Sequence, residues 1–173
     1  MSPEELAAFI CQSLTDAGIV VTLTGGGCVA VWSNGEYESK DLDFVEQGTV
    51  PRREIRAVLK DAGFNEDGRY FIHTETDFFI EFPAGPLAVG GEPVGAISER
   101  KTATGMLRLL SPTDCVKDRL AAFFHWNDHQ ALDQASLVAR NQKVDLEEIR
   151  RWSKAEGEIT KFETFRKHLT EKL

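Results

Sequence analysis

The sequence predicts an α+β fold: a small mixed β-sheet core flanked by helices, followed by a C-terminal helical segment. Three observations predict it. Short β-rich runs at 19–24, up to about 45, 69–73, 77–82 and 106–110 all lie before residue 111. Helical periodicity at the N-terminus and at 51–62 is interleaved with them. From Ser111 onward the pattern is helical throughout. The division falls at 1–110 for the α/β core and 111–173 for the helical segment, with a single compact domain as the alternative.

Each element has a local cause. Ser2, Pro3, Glu4 and Glu5 start a helix with a capping hydroxyl, a proline at the first position and acids at the positive dipole end. Leu6, Phe9, Ile10 and Leu14 give that helix one apolar face, and Gly18 stops it. Residues 19–23 read as a buried strand ending in Gly25, Gly26 and Gly27. A short helix is expected from Cys28 to Trp32, ended by Asn34-Gly35, before a strand that carries Asp41 and Asp43. Residues 51–62 form an amphipathic helix with Ile55, Val58 and Leu59 inward, and its basic residues (Arg52, Arg53, Arg56, Lys60) read as a solvated face. Residues 69–73 and 77–82 are a strand pair joined near Thr74-Glu75-Thr76. The stretch 83–86 breaks that run, and Gly90-Gly91-Glu92 offers a hairpin turn. Ser111-Pro112-Thr113-Asp114 is a second helix start, and Phe123, Phe124 and Trp126 on that helix are expected in the core. Two or three further helices are expected, at about 130–140, 146–155 and 159–169.

Composition narrows the function classes. A hydrophobic content of 42% with 28% charged residues describes a globular protein. No apolar stretch approaches the roughly 18 residues of a membrane span, and the acidic N-terminus is not a secretory signal. Cys11, Cys28 and Cys115 are odd in number and lack CxxC spacing, so neither a disulfide framework nor a zinc knuckle is expected, and the expected compartment is cytoplasmic. The formal net charge of −8 argues against a broad electrostatic footprint on nucleic acid.

The most informative segment is 24–45. Side chains at i and i+2 of a strand share a face, so Asp41 and Asp43 aim at one spot while Leu42 and Phe44 go to the other side. Two parallel carboxylates beside a glycine turn with exposed amides suit a metal ion held against a phosphate. The spacing is neither a GxGxxG fingerprint nor a P-loop, since no Lys-Ser or Lys-Thr follows the glycines. A third carboxylate is expected from the strand at 77–82, where Asp77, Phe79 and Glu81 share a face. Glu81 is preferred over Asp77, because an unpaired carboxylate within an apolar run is costly unless it has a use.

The order strand, Gly-Gly, short helix, Ser-x-Asp-Leu-Asp-Phe (Ser39 to Phe44) and a later acid resembles the DNA polymerase β nucleotidyltransferase superfamily. The helix entered through Ser-Pro-Thr-Asp, with Lys117 and Arg119 in its first turns, resembles the small nucleotidyltransferase-like proteins of bacterial abortive-infection and toxin–antitoxin systems. The match covers 19–45 in detail and the remainder by architecture. It departs in having a glutamate where the family commonly has a third aspartate, and His125-Trp126-Asn127-Asp128 where such toxins tend to show arginine and aspartate.

The resemblance implies a nucleotidyltransferase core and Mg²⁺-dependent transfer of an NMP from an NTP to a hydroxyl of RNA or tRNA, protein or a small molecule. It implies Asp41, Asp43 and Glu81 as ligands of two Mg²⁺ ions. Gly25, Gly26, Gly27 and Ser39 would grip phosphates, and Lys117 or Arg119 would neutralise charge from the helical side. An antitoxin-like protein partner is a further implication. The alternatives are a catalytically silent member that binds nucleotide or a partner, and a plain interaction module with solvated acids. His125 and His129 lack the glutamate of a metalloprotease helix, and Cys28 has no histidine placed to activate it, so both read as structural.

Overall fold

The computed structural model describes residues 1–171. Helix α1 (Pro3–Asp16) opens with the expected capping box, in which Ser2 Oγ accepts from the Glu5 amide at 3.1 Å while the Glu5 carboxylate accepts from the Ser2 amide at 2.9 Å. The chain continues through β1 (Val21–Thr24), α2 (Gly25–Trp32), β2 (Asp41–Glu46) and α3 (Arg52–Asp61). Next come β3 (Asn65–Asp67), β4 (Tyr70–His73), β5 (Thr76–Glu81), a small hairpin β6 (Ala88–Val89) and β7 (Glu92–Pro93), then β8 (Ser98–Thr102) and β9 (Gly105–Leu109). Helices α4 (Pro112–Trp126), α5 (His129–Asn141), α6 (Leu146–Ala155) and α7 (Ile159–Glu171) complete the order.

The main sheet has strand order β3-β4-β5-β2-β1-β9-β8. It is mixed: β1–β9 and β2–β5 are parallel, and the other neighbours are antiparallel. One buried cluster joins Leu14 of α1, Leu23 and Phe44 of the sheet, and Val116, Phe124, Trp152 and Phe165 of the later helices. Two indole groups pin the helices to it, Trp32 Nε1 donating to the Leu110 carbonyl at 2.8 Å and Trp152 Nε1 to the Val89 carbonyl at 3.1 Å. On α3, Arg52 and Arg56 both pair with Glu66 rather than standing free. Among the described residues, no helix is long and apolar enough to cross a membrane.

Three expectations need correction. The helix expected from Cys28 begins at Gly25, because the glycine takes φ +61° and turns the strand directly into the helix. Strands β3 and β8 were not foreseen: Asn-Glu-Asp and Ser-Glu-Arg-Lys-Thr carry little apolar alternation, and pairing at the sheet edges defines them. Trp126, expected in the core, is 82% exposed. It is the last residue of α4, where Asn127 turns left-handed at φ 53°, and the core ends with Phe123 and Phe124.

Candidate active site

The glycine turn and the aspartate strand meet face to face. Thr24 lies opposite Asp43 in the antiparallel β1–β2 ladder and donates from Oγ1 to the Asp43 carbonyl at 3.2 Å. A Cβ on Gly25 would stand 2.8 Å from Asp43 Oδ2, and one on Gly26 would stand 3.0 Å from Ser39 Oγ. At Gly25 the positive φ and the close Asp43 carboxylate together require glycine, while at Gly26 a side chain would press on Ser39. Thr24 makes no side-chain cap, so no side chain caps the first turn of α2, formed by Gly25, Gly26 and Gly27. The amides of such a turn are donors for an anion.

The register assembles the carboxylates. In the parallel β2–β5 pair, Asp43 stands beside Glu81 and Asp41 beside Phe79. Side chains at paired positions share a face, so Asp41, Asp43 and Glu81 lie together. Leu42, Phe44 and Ile80 fill the core on the other face, each at most 2% exposed. Asp77 is exposed and lies further along β5, beyond Phe79 and away from Asp43. The parallel register thus favours Glu81 over Asp77.

The electrostatics of Asp43 are those of a crowded acid. Burial pushes its carboxyl up to about 6 from an ordinary 3.8, and the charges of Glu81 and Asp41 add to the rise. Arg119 pulls the other way, and Asp118 contributes a small further push. Among the described residues, the buried Oδ1 of Asp43 has no hydrogen-bond partner.

The remaining expected residues divide between two cavities. Gly25, Asp43, Asp118 and Arg119 border one of about 260 Å³, with Pro83, Ala84, Pro86, Leu87 and Ala88 also in its lining. Gly27 and Ser39 border another of about 420 Å³ with Leu42, Tyr37 and Arg100. Ser39 is engaged locally: its Oγ donates to the Asp41 carbonyl at 3.0 Å and accepts from the Asp41 amide at 3.2 Å, which fixes the entry into β2. Arg119 reaches the cleft while bonded to Asp118 at 2.8 Å and Gln134 at 3.4 Å.

Lys117 is not brought to the site. It is 6% exposed, and its ammonium bonds Glu148 at 3.0 Å with Asp114 at 3.7 Å. The i, i+2 step from Lys117 to Arg119 sends the two side chains in different directions around α4. Two residues at the site were missed by sequence reasoning. Arg69 places Nε 3.5 Å from Glu81 Oε1, and Asp118 borders the Asp43 cavity. An arginine just before a strand that pairs with the acidic strand was the available signal for the first. Cys28 is a buried thiol held well above its ordinary range by burial and by neighbouring Cys115, and it is not an exposed nucleophile.

Among the described residues, no three His, Cys, Asp or Glu side chains are drawn together tightly enough to enclose a metal ion. The donor chemistry nevertheless fits Mg²⁺. That ion takes hard oxygens, keeps several waters and binds through one or two carboxylates plus substrate phosphates. Asp41 and Asp43 would supply the carboxylates; Asp43 Oδ1 is unpartnered among the described residues, and the side-chain-free Gly25 backbone approaches Asp43 Oδ2.

No protein-family model and no curated protein sequence matches this chain. Two solved structures do match along nearly the whole length. The solution structure of the antibiotic-resistance factor ANT(2'')-Ia matches with TM-score 0.56 and 13% identity, over 98% of this chain and 97% of that one. The crystal structure of ANT(2'')-Ia in complex with adenylyl-2''-tobramycin matches with TM-score 0.55 and 12% identity, over 96% and 97%. The likeness establishes the fold, a nucleotidyltransferase-like α+β core with appended helices, as the sequence predicts.

Proposed function

We propose that this protein transfers an NMP from an NTP to a hydroxyl acceptor with the help of Mg²⁺. The observation that carries the proposal is the placement of Glu81 beside Asp43, on the same face as Asp41 and next to the glycine turn. Asp41 and Asp43 would hold the ion on the triphosphate, and Glu81 would join them in holding a second. The ions supply charge neutralisation of the triphosphate and activation of the attacking hydroxyl.

The chain's own residues position the reaction. The amides of the turn at Gly25, Gly26 and Gly27 grip the terminal phosphates, Ser39 holds the entry into β2 beside Gly26, and Arg119 offers positive charge from the α4 wall of the Asp43 cavity. The acceptor oxygen forms a bond to the α-phosphorus, the bond from that phosphorus to the bridging oxygen breaks, and pyrophosphate leaves. The hydroxyl proton passes to water.

ANT(2'')-Ia has been captured with adenylyl-2''-tobramycin, which supports an NTP and a hydroxyl-bearing acceptor as the substrate pair here. The toxin–antitoxin affiliation and an antitoxin-like partner rest on the sequence resemblance alone. One observation favours a second reading, a catalytically silent nucleotide-binding protein: Arg69 holds Glu81 in an ion pair and so competes for the third carboxylate.

The test is incubation with each α-labelled NTP, Mg²⁺ and cell extract, beside an Asp41→Ala/Asp43→Ala control. Transfer by the wild type and its loss in the control is the expected result. Equal labelling by both overturns the assignment. Metal-dependent NTP binding without transfer supports the silent reading.

A further inference from the structure

The sheet face that carries the carboxylates continues past them into an open aromatic shelf. Phe79, in register with Asp41, is 43% exposed. Its ring lies 5.7 Å from that of Tyr70, which pairs across the sheet with Glu81. The Arg69 guanidinium lies over the Tyr70 ring at 4.9 Å, donates to the Tyr70 hydroxyl at 2.6 Å, and has a side chain that is 72% exposed. On the opposite face of the same strand Ile80 is fully buried. An exposed phenylalanine beside reactive carboxylates has an energetic cost in water and a use as a stacking surface.

The order across the sheet says which substrate the shelf serves. The phosphate-gripping turn lies on the β1 side of β2, and the shelf lies on the other side, along β5 and β4. Glu81, which would help hold the ion that activates the attacking hydroxyl, adjoins Phe79 along β5 and faces Tyr70 across the β4–β5 ladder. The shelf therefore flanks the acceptor rather than the triphosphate. Aromatic rings and arginine planes on an open sheet are the means by which proteins hold unpaired nucleobases, and an exposed guanidinium also meets a phosphate.

We propose that Phe79, Tyr70 and Arg69 form an acceptor subsite that stacks the terminal base of a ribonucleotide chain, placing its ribose hydroxyl at the carboxylates. This rests on the nucleotidyl-transfer reading. It specifies the acceptor as a single-stranded RNA end.

Two measurements test it. In the first, a short oligoribonucleotide, tobramycin and cell extract compete as acceptors for α-labelled NTP. The oligoribonucleotide is expected to take the label. Phe79→Ala is expected to raise its KM about 5- to 100-fold, the range of one base–aromatic stack, with the KM for NTP unchanged, and Phe79→Trp to restore it. A rise in the NTP KM instead, or label on tobramycin or protein with a KM indifferent to Phe79→Ala, overturns the subsite. The second needs no turnover: an oligoribonucleotide ending in 2-aminopurine is quenched on binding the wild type and not on binding Phe79→Ala. Equal quenching by both, or none by either, overturns the subsite on its own. Quenching that depends on Phe79 without label transfer leaves the subsite standing and removes the catalytic reading.

Discussion

Asp43 and Glu148 are both carboxylates with a basic side chain in reach, yet their chemistry is opposite. Glu148 on α6 receives Arg151 at 2.6 Å and Lys117 at 3.0 Å, and these bonds hold its carboxyl down at about 2. Asp43 on β2 is desolvated beside Glu81 and Asp41, and its carboxyl rises to about 6. Arg119 is near Asp43 but bonded to Asp118. The α4–α6 region uses charge to lock helices together, with Asp114 and Glu148 meeting Lys117 and Arg151 within the chain. The β2–β5 face leaves its acids short of positive charge, as a site that must receive cations does.

The largest effect should come from removing the crowded acids. Asp41→Ala/Asp43→Ala is expected to lower transfer by about 10³-fold or more while far-UV circular dichroism stays native, since neither side chain supports the core. If transfer survives, the crowding on β2 has no catalytic use and the contrast fails.

Next in size is the lock. Lys117→Ala leaves Asp114 and Glu148 without their shared ammonium and is expected to lower unfolding free energy by about 2–4 kcal/mol in a urea titration. The kcat of transfer should stay within about twofold, because an activity effect in a folded variant would return Lys117 to the nucleotide.

Smaller, and opposite in sign, is the effect of neutralising Asp43. A raised carboxyl binds its proton more tightly in the folded state, so its contribution to stability is present below the ordinary 3.8 and is lost as pH rises through about 6. Glu148 runs the other way: its contribution is present above the ordinary 4.5 and is lost as pH falls through about 2. Asp43→Asn should therefore stabilise the protein at pH 7 by about 1–2 kcal/mol, allowing for partial solvent screening, raise Tm by about 2–8 °C, and change little at pH 4. Calorimetry at the two pH values checks the sign.

The smallest change concerns Glu81. Arg69→Gln releases an exposed ion pair and is expected to lower the Mg²⁺ concentration for half-maximal transfer by about two- to threefold. Transfer that appears only in this variant would assign the wild type to the silent reading.

Much of this contrast was legible in the sequence, on one side of the molecule. Period-2 alternation put Asp41 and Asp43 on one face without any knowledge of the fold, and the same rule grouped Asp77 with Glu81. Choosing between those two needed the parallel register of β2 with β5, which local sequence does not encode. Arg69 was hidden for the same reason, since its meeting with Glu81 depends on how β4 pairs with β5. The lock was illegible because Glu148 arrives 31 residues after Lys117, on a helix whose docking is tertiary. Helix caps at Ser2 and Ser111 were readable because a cap is a contact between residues three apart. Trp126 was misplaced because periodicity shows which side of a helix is apolar, and not where the neighbouring core stops.

Under the proposed function, the crowded carboxylates of the β2–β5 face are there to receive cations. The ¹³C shift of the Asp43 carboxyl, followed against pH with and without Mg²⁺, reads it directly. The expected result is a midpoint near 6 without the ion and a clear fall when Mg²⁺ is added. A midpoint near the ordinary 3.8, or one that Mg²⁺ leaves in place, would contradict it.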